Sequence, residues 1–328
     1  MKQRTISIAL LGHGTVGRSV YRIIQENHDR FVENIRQRTG QTVDPQIIGV
    51  LVSDLKKHSE LGAIATTDPT RLLEQDVDIL IELIGGQSPA TELMTKALSS
   101  GIDVVSANKQ AIFSSQGKLE KIARDHHVSF HYEAAVAGAI PILRSVKSLV
   151  SGRITKIEGI LNGSTNYILT QVAQGVSLDK ALQQASDRGF LEADPSSDVD
   201  GFDAMYKLGI LTYLATGRYP GEDDIERVGI TGLSPDEIEQ ARLDDKKYKL
   251  IASADFETGR YSIKPVALES DHDLYRVDGA LNGISLWHEH AGGLFFQGAG
   301  AGGDETASAV VGDLIDAICL RILRCQHD

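Results

Sequence analysis

The chain is 328 residues long, 41% hydrophobic and 24% charged, with a formal net charge of −12. That length suffices for two domains with substantial cores, and the composition excludes disordered and fibrous classes. The acidity argues against a nucleic-acid partner, because no basic cluster is longer than Lys246 and Lys247. No apolar run approaches the roughly 18 residues of a membrane span, so no membrane partner is expected. The opening MKQRTISIALLG mimics a signal peptide, but its short apolar run leads into a glycine loop and reads as the first strand of a cytoplasmic protein. Cys319 and Cys325 are too few for a disulfide framework. Cys319 lies in an apolar helical pattern and reads as core, and Cys325 as a free thiol.

Residues 6–11, 46–52, 77–84, 102–106 and 128–132 are short runs rich in Val and Ile, and residues 16–26, 89–99 and 115–125 between them carry helical spacing. This alternation predicts an α/β fold with a doubly wound parallel sheet. The first run passes straight into Gly12, His13, Gly14, Thr15, Val16 and Gly17, a G-x-G-x-x-G with strand before and helix after. The first glycine makes the tight turn, the second lets the backbone approach a pyrophosphate, and the third lets the helix pack on the strand. The helix N-terminus adds N–H groups and a positive dipole end for the phosphates. After the second run, Asp54 suits the free ribose of NAD, while Lys56 and Lys57 suit the 2′-phosphate of NADP, so the cofactor is read as NAD(P).

From about Gly138 the rhythm changes. Helical segments precede a strand over residues 153–161, which leads through Asn162, Gly163, Ser164 and Thr165 into another helix. A polar connection near residues 218–240 follows a long apolar helix. Residues 261–297 then read as strands, with turn signals at Gly279, Asn282–Gly283 and Gly292–Gly293. A second domain of α+β type is expected. A final glycine loop opens a helix near Ser308.

The most distinctive stretch is GFLEADPSSDVDGFDAMYK, residues 189–207. It places Glu192, Asp194, Asp198, Asp200 and Asp203, with Asp187 just upstream, beside Lys207 at the mouth of an apolar helix. A helix apolar all round is buried, and buried charges are costly unless paired or used. Asp203 and Lys207, four residues apart, share a face. A structural ion pair is one reading. A calcium loop aligned on Gly201 puts Lys207 where a bidentate glutamate is required, and fails. The third is an active site in which carboxylates hold a polar substrate and a lysine, its pKa lowered by burial, moves a proton. His288 and His290 share a strand face, but no third zinc ligand is evident in the sequence.

With the glycine loop go Glu82-Leu83-Ile84-Gly85-Gly86, Val104-Val105-Ser106-Ala107-Asn108-Lys109, Tyr132-Glu133-Ala134-Ala135-Val136 and Ile160-Leu161-Asn162-Gly163-Ser164-Thr165-Asn166-Tyr167. As an ordered set spanning nearly the whole chain, these closely resemble the homoserine dehydrogenases. The resemblance implies a Rossmann-like NAD(P)-binding domain over residues 1–137 plus 299–328, with the last helix returning to it. A second α+β catalytic and dimerisation domain over residues 138–298 is implied, in a homodimer. The reaction implied is the reversible NAD(P)-linked reduction of aspartate 4-semialdehyde to homoserine, on the route to threonine and methionine. By matching position, Lys207 and Lys109 resemble the catalytic lysines, and Glu192, Asp203 and Asp198 the substrate's ligands. Gly12, Gly14, Thr15, Val16, Gly17, Lys109, Gly189, Gly300 and Gly302 resemble cofactor contacts. Glu133, Val136, Gly138 and Ile140 match positions that hold a structural, sodium-like cation.

The chain departs from that pattern at several places. Leu191 replaces a small residue, Ala137 and Ala139 replace glycines, and Asp304–Glu305 precede Thr306 where a proline is common. A short form without a C-terminal regulatory domain, and without the feedback control it would bring, is expected. The chemistry is consistent with the family: carboxylates pair an α-ammonium, and a lysine takes the hydroxyl proton. A dehydrogenase of another small amino acid or aldehyde is the nearest alternative. A non-catalytic dinucleotide sensor would need none of Glu192, Asp203, Lys207 and Lys109.

Overall fold

The computed structural model describes residues 4–191 and 194–326. In unit 1, formed by the described residues of Met1–Ala135 and Gly302–Asp328, the predicted alternation becomes a sheet with helices on both faces. Its first part runs β1 (Arg4–Leu11), α1 (Thr15–Glu26), α2 (His28–Thr39), β2 (Val43–Leu51), β3 (Ala65–Thr66) and α3 (Pro69–Leu73). It continues through β4 (Ile79–Glu82), α4 (Ala90–Ser99), β5 (Asp103–Ser106), α5 (Lys109–Ser115), α6 (Lys118–Asp125) and β6 (Phe130–His131). The strands are all parallel in the order β3-β2-β1-β4-β5-β6. The order reverses between β1 and β4, the switch point at which such sheets bind ligands.

The unbroken apolar runs follow from burial on two faces. Ile6, Ile8 and Leu10 pack with Val20, Ile24 and Val310 on one side, and Ala9 and Leu11 with Leu72, Met94 and Leu98 on the other. α2 escapes a periodicity reading because its sequence, HDRFVENIRQRT, buries Ile35 alone.

In unit 2, Val136–Ala301, the elements are α7 (Ile142–Ser148), β7 (Ile154–Ile160), α8 (Gly163–Ala173), α9 (Leu178–Asp187), α10 (Ser196–Val199) and α11 (Phe202–Thr216). β8 (Ile225–Arg227), α12 (Pro235–Leu243), β9 (Lys247–Asp255), β10 (Arg260–Leu268), β11 (Leu281–His288) and β12 (Gly292–Ala299) follow. The sheet order is β12-β11-β7-β9-β10-β8, antiparallel except for the β10–β8 pair. The C-terminal run of strands thus begins at Lys247, ahead of the 261 expected, and the polar connection contains both β8 and α12. Pro235 at the first turn of α12 and the reciprocal Ser234–Glu237 capping box explain that helix.

Asn282–Gly283 is not a turn. Both residues lie inside β11, where a Cβ on Gly283 would stand 2.8 Å from Val277. Glycine is there for close packing. Gly279 and Gly292 do turn the chain, with φ of +68° and +71°.

The chain returns to unit 1 in α13 (Gly303–Arg324), which starts five residues before the expected Ser308. Asp304 accepts hydrogen bonds from Ser19 (2.6 Å) and Arg22 (2.7 Å), anchoring the first turn. At the far end, Arg321 and Arg324 both pair with the fully buried Asp103. That satisfies a carboxylate that would otherwise be expensive to bury. Cys319 on α13 is buried and Cys325 beyond it is exposed, both as free thiols.

Candidate functional site

The glycine loop of unit 1 has the geometry its sequence demands. Gly12 has φ +100°, and a Cβ there would lie 2.8 Å from the Leu83 carbonyl oxygen. Its N–H donates to Leu51 O at 3.0 Å. A Cβ on Gly17 would lie 2.2 Å from Gly12 O, so only glycine lets α1 start this close to the turn. A Cβ on Gly14, the N-cap of α1, would meet nothing within 4 Å. The loop therefore presents open backbone, with Thr15 and Val16 in the first helical turn, where a pyrophosphate needs N–H groups. A Cβ on Gly303 would come within 3.1 Å of the Thr15 side chain, so the first turn of α13, capped by Gly302, lies against that of α1.

At the C-terminal ends of β4 and β5 a polar knot ties the two strand ends together. Glu82 accepts from Ser106 Oγ (2.6 Å), Ile84 N (2.9 Å) and Asn108 Nδ2 (3.4 Å). Burial is the largest influence on Glu82 and raises its pKa above the ordinary 4.5, against the lowering effect of these donors. Asn108 also caps α5 by accepting from Ala111 N at 3.0 Å. Lys109, the first residue of α5, is thereby held at the strand end, half-buried. Sequence reading quoted Glu82, Ser106 and Asn108 only as motif members. Their spacing of 24 and 26 residues offers no local signal of a shared network.

Unit 2 brings three of the expected residues together. Lys207 Nζ donates to Asp203 Oδ2 at 2.6 Å and to the Leu161 carbonyl oxygen at 2.7 Å. Lys207 is only 8% exposed and Asp203 5%, so the ion pair is a buried one. Asn162 was not singled out in the sequence, yet it links the group. Its Nδ2 donates to Asp198 Oδ1 (2.6 Å) and Asp203 Oδ2 (2.9 Å), while its Oδ1 accepts from Thr165 N (2.8 Å) to cap α8. An Asn directly before a helix is a cap signal, but its second role becomes visible only on folding.

Gly189, φ +74°, closes the turn after α9, where a Cβ would meet nothing within 4 Å. Asp194 accepts from Ser196 N in a local turn, and Gln183 donates to Asp187 on the exposed side of α9. Glu192 lies outside the described residues. Of the cation-site positions, Glu133 is buried in a short turn of unit 1 and donates its N–H to Asp313 at 2.7 Å. Val136, Gly138 and Ile140 open unit 2. There Ala137 adopts the left-handed φ of +58° despite its Cβ, followed by Gly138 at +51°. A Cβ on Gly138 would stand 2.8 Å from the Gly300 carbonyl, which places Gly300 over this turn. His288 accepts from His290 N and Ala291 N, a turn-forming role with no metal cluster around it among the described residues. No described helix is long and apolar enough to cross a membrane.

A Rossmann sheet with an open glycine loop at its switch point, joined to a domain that buries a lysine among carboxylates, defines an NAD(P)-linked oxidoreductase. Family models give the rest. Residues 12–133 match the NAD binding domain of homoserine dehydrogenase, and residues 141–315 match homoserine dehydrogenase itself. The homoserine dehydrogenase of Mycobacterium tuberculosis is 36% identical over 330 residues, 98% of this chain and 74% of that one. The crystal structure of a homoserine dehydrogenase from Thiobacillus denitrificans superposes with a TM-score of 0.90 at 33% identity, covering 97% of this chain and 74% of that one. A hyperthermophilic archaeal homoserine dehydrogenase in complex with NADPH matches with a TM-score of 0.81 at 29% identity, covering 96% of this chain and 98% of that one. The chain belongs to the homoserine dehydrogenase family, and its function is the family's NAD(P)-dependent oxidoreduction of homoserine and aspartate 4-semialdehyde.

Proposed function

We propose that Lys207 carries the proton of the substrate hydroxyl and that Asp203, Asp198 and Glu192 bind the amino-acid end. The observation that carries this reading is the buried Lys207–Asp203 pair, tied through Asn162 to Asp198. A carboxylate pair accepts from an α-ammonium, and an ammonium on a short tether donates to a developing alkoxide. Asn162 positions both carboxylates, holding Asp203 toward the lysine so that the charges are paired before substrate arrives. Lys109 is proposed as the second lysine of the reaction, held at the end of β5 by the Asn108 cap.

The dinucleotide, held by Gly12, Gly14, Thr15, Val16, Gly17 and Gly302, with Gly189 and Gly300, supplies the hydride acceptor or donor. The open space at Gly14 supports its fit. Residues 1–137 plus 299–328 are read as the domain that binds it, and residues 138–298 as the catalytic and dimerisation domain of a cytoplasmic homodimer serving threonine and methionine synthesis.

Initial rates with homoserine and with aspartate 4-semialdehyde, against both the NAD and NADP couples, test the reading. Turnover that saturates with substrate is expected with at least one couple. No turnover with either couple sinks it.

A further inference from the structure

Two histidines and a glutamate far apart in sequence converge beside the glycine loop. His13, between Gly12 and Gly14, and His58, in the kinked 3-10 segment Lys56–Ile64 after β2, face each other with Nδ1 atoms 3.2 Å apart. Glu60 Oε1 lies 3.8 Å from His13 Nδ1 and 3.6 Å from His58 Nδ1. Four-coordinate zinc with bonds of about 2.0–2.1 Å sets neighbouring ligand atoms roughly 3.3 Å apart. The observed triangle falls close to that spacing. The two imidazole nitrogens are within hydrogen-bonding distance of each other, while both carboxylate distances exceed a normal hydrogen bond. Both imidazoles are buried, at 6% and 8% exposure, while Glu60 is exposed. The rings of Tyr21 and His58 stand edge-on to His13 at centroid distances of 5.7 and 5.2 Å, which fixes its orientation.

We propose that His13 Nδ1, His58 Nδ1 and Glu60 Oε1 form a binding site for a divalent transition metal of the zinc class. Two imidazoles and one carboxylate with a further position open to water are a recognised donor set for such ions. His13 belongs to the loop that presents its backbone to the pyrophosphate, and His58 and Glu60 to the segment after the second strand. A metal here ties the two together and fixes the loop from its back.

The test is Zn²⁺ titration of the full chain by calorimetry, with Co²⁺ absorption as a reporter of coordination. The wild type is expected to bind one Zn²⁺ per chain that is lost, or weakened at least ~100-fold, in His58→Ala. Glu60→Gln changes an exposed side chain, so it keeps the fold, and it is expected to weaken Zn²⁺ binding and alter the visible Co²⁺ bands. His290→Gln should bind as the wild type does. Absence of Zn²⁺ binding, unchanged binding in both His58→Ala and Glu60→Gln, or loss in His290→Gln overturns the proposal.

Discussion

The two units carry candidate functional surfaces made of different material. In unit 1 the candidate surface is backbone: three glycines, a bare helix N-terminus and a space at Gly14 that a side chain would fill. In unit 2 it is side chain: a buried lysine, two carboxylates and an asparagine joined by bonds of 2.6–2.9 Å. Backbone recognition asks of the sequence only that certain Cβ atoms be missing. A side-chain network asks for particular chemistry at every member, because each unpaired partner is left buried.

The largest expected effect breaks the side-chain half alone. Lys207→Ala should lower turnover at least ~10²-fold while dinucleotide affinity, followed by fluorescence titration, stays as in the wild type. Near-normal turnover would refute its proton-carrying role.

A pair of substitutions then separates binding from folding within the backbone half. Gly14→Ala adds a methyl where the protein offers no neighbour. Its melting temperature should hold while dinucleotide affinity falls about tenfold, a loss of ~1.4 kcal/mol. Gly17→Ala drives a Cβ to within 2.2 Å of Gly12 O and should cost ~1–3 kcal/mol of folding stability. Equal thermal stability of the two variants would mean that the loop is more pliable than its geometry indicates.

The smallest effect concerns Glu82. Burial raises its pKa above 4.5, so the folded state holds a proton that the unfolded chain gives up. The stability linked to this group is fully present below pH 4.5 and is lost as pH rises through the folded-state pKa. Glu82→Gln cannot ionise, so its melting temperature relative to the wild type should improve between pH 5 and pH 8. Calorimetry at the two values decides; a relative decline at pH 8 would show that the ionised carboxylate is the better partner for Ser106 and Ile84 N.

This contrast also explains what was legible before folding. The glycine loop was readable because its constraint is local: strand, turn and helix are contiguous, and each glycine has a steric reason. Asp203 and Lys207 were readable because helical spacing alone puts them together. Asn162, which lies 36 and 41 residues from the carboxylates it joins, was not. Neither was the meeting of His13 and His58 across 45 residues. Asp103, the partner of Arg321 and Arg324, is 218 and 221 residues from them. Strand boundaries failed where tertiary packing overrode a local turn signal, as at Asn282–Gly283, pressed into β11 against Val277.

The return of α13 to unit 1 bears on the order in which the chain matures. Ala307, Val310, Leu314 and Ile318 complete the core that Ile6, Ile8 and Leu10 begin. On the ribosome the first strands therefore emerge with one side of their sheet covered only in part, by α1 and α2, until residues beyond 302 have been synthesised. Val136–Ala301, whose residues are contiguous, can condense before the part that began first. The usual N-terminal-first sequence of domain folding can thus be inverted here, because the core of unit 1 is complete only once α13 has joined it.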